Sequence, residues 1–148
     1  MKTPLMFLLF SCLSVSIAVA QNVEPNFDGA GVKGHQPMFS GCEEMDNIKE
    51  RRKCAEQKMM QFLYGNIKYP DEAREDGIEG VVVIKFFVDE DGSIWDAEVA
   101  RDIGGGCGME ALRVVESMPD WNPGTIDGNP VGMHVHLPVK FSLGKRNK

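Results

Sequence analysis

The chain has 148 residues, enough for one domain with a short appendage and too few for a multidomain enzyme. Hydrophobic residues at 43% and charged residues at 26% allow a buried core and exclude wholesale disorder. Lys and Arg total 16 against 22 Asp and Glu, and a net charge of −6 argues against nucleic acid, which needs a basic face.

Lys2 precedes an apolar run from Leu5 to Val19, and Ala18-Val19-Ala20 ahead of Gln21 is a small-x-small cleavage site. Residues 1–20 therefore read as a secretory signal peptide. The run falls short of the roughly 18–20 apolar residues of a membrane span. Retention as a short membrane anchor is the alternative. Leu9-Phe10-Ser11-Cys12 fits a lipoprotein acceptor site poorly.

Export leaves Cys42, Cys54 and Cys107 in an oxidising space, which predicts one disulfide and one free thiol. Cys42 and Cys54 are close in sequence and flank the start of a predicted helix, so they are paired. Closing a loop of about a dozen residues would constrain the unfolded chain by roughly 2–3 kcal/mol. Pairing of Cys42 with Cys107 stays open. No C-x-x-C and no clustered His supply a zinc site.

Residues 21–41 are rich in Gly, Asn and Pro without apolar periodicity and read as a flexible leader. From about Asp46 to Tyr64, Ile48, Ala55, Met59, Phe62 and Leu63 recur near helical spacing, and Gly65-Asn66 supplies a stop. Residues 42–67 form an N-terminal helical extension on this reading. Next, Pro70 at a helix start, acids in the first turn and Gly77 as the stop predict a helix of two turns at most.

Gly80 to Asp89 is β-branched and aromatic, and Asp91-Gly92 joins it to a second strand from Ser93 to Asp102 as a hairpin. Val82, Ile84, Phe86 and Val88 share one face; Trp95, Ala97 and Val99 share one face of the partner. Gly104 to Gly108 reads as a flexible turn around Cys107. Met109 to Met118 is helical, with Met109, Leu112, Val114 and Val115 apolar, and Pro119 ends it. From Val131 to Leu143 every odd residue is apolar and every even residue is small, polar or proline, which predicts one long half-buried strand.

A hairpin, a helical crossover and a last strand give an α+β fold: a three-stranded antiparallel sheet of order 2-1-3 with two helices on one face and an extra N-terminal helix. Pro138 cannot donate to a ladder, so the last strand belongs at the sheet edge with that nitrogen pointing away. The amides of Gly132, His134, His136 and Lys140 then point away as well. Such an edge accepts an extended peptide as an added strand, with Val131, Gly132, Met133, His134, Val135 and His136 as the ladder. Protection against unwanted pairing is the competing meaning of Pro138.

From Tyr69 onward the sequence resembles the C-terminal domain of TonB-family energy transducers. The resemblance is carried by Tyr69-Pro70 with Ala73, Gly80 to Val83 with Phe86, Val88 and Asp91-Gly92, and Glu110 to Val115. It continues through Met118-Pro119, Trp121 to Gly124, Gly128 to Val131, and Leu137-Pro138-Val139 with Phe141. Gly41-Cys42-Glu43, Glu50-Arg51, Cys54 and Gly104 to Cys107 resemble the variant common in the Bacteroidetes. The resemblance implies that residues 68–148 are a periplasmic module gripping the TonB box of an outer-membrane transporter by strand addition at the last strand. Full transducers also carry an N-terminal membrane helix working with the ExbB–ExbD motor and a Pro-rich spacer. Here residues 1–20 read as cleavable and lack the membrane-helix His, and a leader of about twenty residues spans at most roughly 70 Å.

Three readings of function follow. The first is a periplasmic peptide-binding domain with no catalysis and no cofactor, in which edge pairing with a second copy is a further partner. The second is a full transducer with an uncleaved anchor coupling the proton-motive force to outer-membrane transport, the only reading that brings membrane contact. The third is a thiol-dependent enzyme or redox protein using Cys107, whose place before a helix would favour the thiolate. His134 and His136 lack a third metal ligand, and no nucleophile, base and orienting group assemble in the sequence.

Overall fold

The computed structural model describes residues 33–144. The expected signal peptide, residues 21–32 of the leader and residues 145–148 lie outside the described residues. In chain order the elements are β1 (Gly34–His35), α1 (Ile48–Asn66), α2 (Asp71–Glu75), β2 (Gly80–Val88), β3 (Ile94–Arg101), α3 (Cys107–Glu116), β4 (Gly124–Ile126), β5 (Asn129–Val131) and β6 (Met133–Phe141).

The architecture is α+β, and its main sheet is antiparallel with order β3-β2-β6, the 2-1-3 arrangement expected for the principal strands. The apolar residues of β2 that share a face, Val82, Ile84, Phe86 and Val88, are all inaccessible to solvent. Leu137, Val139 and Phe141 of β6 continue that layer, and Ala111, Val114 and Val115 of α3 close it from the helix side. On α1 only a narrow stripe turns inward: Ala55 and Leu63 are buried, with Met59 and Phe62 packed beside them. Asn47 caps this helix, its side-chain oxygen accepting the amides of Lys49 at 2.9 Å and Glu50 at 3.4 Å.

A second sheet of order β1-β4-β5 was not expected. Its β4–β5 hairpin turns at Asp127 and Gly128, with φ of 51° and 82°, the left-handed pair of a tight two-residue turn. The segment expected as a leader supplies β1 as the third strand of this sheet. A bridge of Met38 to Asn122 follows, and Met38 and Phe39 are buried in the main core. Residues 33–41 are thus a packed part of the domain.

The last strand also differs from its expectation. Val131 ends β5, opposite Gly124 of the small sheet, and Met133 begins β6, opposite Val88 of the large one. Gly132 is the junction, and a Cβ there would lie 2.3 Å from the Phe87 ring. The period-2 pattern runs through this junction because the chain stays extended while it changes partner. On β3, Trp95 stands opposite Phe87 and is 58% exposed, whereas Ala97 and Val99 pack on the core. The register shifts between them around Asp96, whose φ is 50°, and this bulge turns Trp95 to the outer face.

Helix α3 starts two residues before its expected position. Cys107, Gly108, Ala111, Val114 and Val115 form the buried face, and Met109 is 67% exposed. The preceding glycines are held rather than loose. Gly104, Gly105 and Gly106 all have positive φ, and Gly105 sits against Ala73 and Ile78.

Candidate functional site

The expected site is the β6 edge, and its geometry follows from two groups on that strand. Pairing of β6 with β2 is unbroken from Met133 to Phe141, so a single alternation governs every residue between them. Pro138, opposite Val83, has no amide to give β2. Two residues on, the carbonyl of Lys140 accepts the Tyr64 hydroxyl of α1 at 3.5 Å, a bond open to it in the same phase. The backbone groups of the even-numbered residues therefore point outward, and those of His134 share that direction. Side chains alternate independently: Leu137, Val139 and Phe141 are buried, while His134, His136, Pro138 and Lys140 are exposed. The His134 ring packs edge-on to Phe87 with centroids 5.1 Å apart.

The six residues expected to form the ladder are divided by the fold. Val131 belongs to β5, Gly132 is the junction, and Met133, His134, Val135 and His136 lie in β6. At the other end Pro138 and the Tyr64 contact close the edge. What remains of the expected ladder in the main sheet is Met133 to His136.

Sequence reasoning missed what lies beside that stretch. A groove of about 260 Å³ is bounded by residues 135–138 of β6, by α1 and by the segment 36–39. Four consecutive strand residues can line one cavity only if it runs along the strand's edge, because successive side chains point to opposite faces. Its apolar wall is Met38, Phe39, Ala55, Met59 and Trp121, with Arg52 and Glu56 of α1 at the rim. Trp121 is 6% exposed and packs edge-on to Phe39 and Phe86. Its indole Nε1 is buried and finds no hydrogen-bond partner among the described residues.

The wall formed by residues 36–59 is fastened from several directions. A disulfide joins Cys42 to Cys54, which leaves Cys107 as the free thiol among the described residues. Glu43 Oε1 accepts the Gly41 amide at 2.6 Å and Asn122 Nδ2 at 2.8 Å. These bonds hold the Glu43 carboxyl down to about 2. Lys58 Nζ donates to the Gly41 carbonyl at 2.5 Å, bringing α1 onto the same loop. At the far end of α1, Arg113 donates to the Asn66 carbonyl at 3.0 Å and to Glu110, fixing α1 against α3.

Cys107 does not have the surroundings of a nucleophile. It is the first residue of α3 and has no solvent exposure. Burial pushes its thiol up, and the Asp102 carboxylate adds to this, so the thiolate favoured by a helix start is opposed. Among the described residues no group of His, Cys, Asp and Glu is arranged to hold a metal ion, and no helix is long and apolar enough to cross a membrane.

Residues 65–143, just over half of the chain, match the family described as Gram-negative bacterial TonB protein C-terminal. The chain is similar to Protein TonB of Vibrio cholerae, at 32% identity over 80 residues. That match covers 51% of this chain, and the chain spans only 31% of the length of this curated relative. Among solved structures, an NMR solution structure of the Helicobacter pylori TonB C-terminal domain is 26% identical with a TM-score of 0.45, covering 60% of this chain and 94% of that one. A longer fragment of the same domain gives 24% identity and a TM-score of 0.46, covering 59% and 78%.

Proposed function

Because this chain belongs to the TonB C-terminal family, we propose that it binds an extended, TonB-box-like segment of an outer-membrane transporter by adding it as a strand to β6. The observation that carries this reading is the position of β6 at the end of the main sheet, with its even-numbered backbone groups directed outward. An added strand of four to six residues exchanges backbone hydrogen bonds with such an edge and gains direction from them. The contact is small beside a stable protein interface, so affinity is modest and exchange fast.

The phase of the strand supplies the test. His134→Pro removes an outward donor while leaving the β2 ladder intact, as Pro138 already does four residues away. We expect its melting temperature to stay near that of the wild type and binding of a transporter-derived peptide to fall about 5- to 10-fold. Val135→Pro removes a donor facing β2 and should unfold the sheet instead. Equal peptide affinity in the wild type and the His134→Pro chain would sink the proposal. We assign the module to the periplasm after cleavage behind Ala20. N-terminal sequencing of the mature protein then starts at Gln21, whereas a start at Met1 makes it a membrane-anchored transducer.

A further inference from the structure

We propose that the groove between α1, residues 36–39 and the β6 edge is a side-chain pocket that selects docking segments carrying a large aliphatic residue. The proposal rests on the strand-addition reading and specifies its ligand. A strand laid about 4.8 Å beyond β6 points alternate side chains to the two faces of the sheet. On the outer face they meet solvent. On the helix face they meet the groove, whose position along residues 135–138 puts it beside the docking stretch.

The lining decides the chemistry. Met38, Phe39, Ala55 and Met59 present an apolar wall, and charge is confined to Arg52 and Glu56 at the rim. Two of the wall residues are methionines, whose unbranched side chains reshape easily around an incoming group. The wall also contains an orphaned donor, the buried Trp121 Nε1–H. A buried indole N–H without an acceptor is costly, and movement of the methionines would let a carbonyl of the incoming segment reach it. Most of this wall comes from residues 36–59, outside the family match of residues 65–143. The family domain therefore supplies the strand edge, and the disulfide-fastened extension supplies the selectivity.

The full mature chain, labelled with ¹⁵N, is titrated with two capped six-residue peptides. One alternates threonine and leucine; the other alternates threonine and serine. The leucine peptide should bind about 10-fold more tightly or better, given the area a leucine side chain removes from water. It should also move the Trp121 indole N–H resonance downfield. The chain has two tryptophans, and Trp95, exposed on the outer face with its Nε1 already donating to Ser93, is the internal control. Met59→Glu should erase the preference with the β6 amide shifts retained. Equal affinity of the two peptides, both shifting the β6 amides, overturns the pocket and leaves strand addition standing. Absence of shifts at residues 133–136 with either peptide overturns both. The peptide comparison is made on the unaltered protein, so the result does not depend on a variant that folds.

Discussion

Gly92 has a φ of 87°, and a Cβ placed there would lie 1.9 Å from the carbonyl oxygen of Trp121. The close approach exists because the Trp121 amide donates to the Gly92 carbonyl at 2.8 Å, tying the β2–β3 hairpin to the loop beneath the groove. Gly92→Ala should therefore cost at least about 2 kcal/mol in chemical denaturation, combining a left-handed backbone with a clash against main chain. Glu43 acts at the same scale through charge. Its folded-state pKa is depressed, chiefly by the Gly41 amide and then by Asn122. The stability it contributes is therefore complete above the usual carboxylate range and is lost as pH falls toward 2. Glu43→Gln should melt a few degrees below the wild type at pH 7, and the two curves should converge near pH 2. A gap that persists at pH 2 would refute the assignment. Asp91-Gly92 announces the turn, but neither the contact of Gly92 with Trp121 nor that of Glu43 with Asn122 can be read from the sequence, since the partners lie about thirty and eighty positions away.

At the scale of elements, the groove owes its wall to a helix that is only weakly amphipathic. Ala55 and Leu63 are its buried residues, and the Cys42–Cys54 bond and the packing of Phe39 against Phe62 and Trp121 add to them in holding α1 in position. Replacing both cysteines with serine should lower stability by about 2–3 kcal/mol and release residues 33–46 to fast amide exchange. The β2–β6 ladder should keep its protection. Which elements were legible follows the same logic. The β2–β3 hairpin, the β6 edge and α1 announce themselves through periodicity and Pro138. The β4–β5 hairpin carries an Asp127-Gly128 signal as plain as that of Asp91-Gly92, but its three-residue strands offer no alternation to count. Alternation alone puts Trp95 on one face with Ala97 and Val99, because a bulge at a non-glycine residue, Asp96, leaves no mark on a hydrophobic pattern.

For the molecule as a whole, the sheet order could be read from the chain because hairpins and crossovers obey handedness and because proline excludes a central position. The site could be read only in part. Pro138 pointed to the edge position and to the phase of its backbone groups, whereas the period-2 alternation carried past Gly132, where the chain changes sheets. The groove was invisible because it brings residues 36–39, 52–59 and 135–138 together, and that proximity is a property of packing. Both lateral rims of the main sheet are interrupted, one by the Asp96 bulge and the other by Pro138 and Tyr64. Such a body offers no runway for endless stacking. Concentrated solutions should accordingly stay clear on long storage, without growth of fibrils.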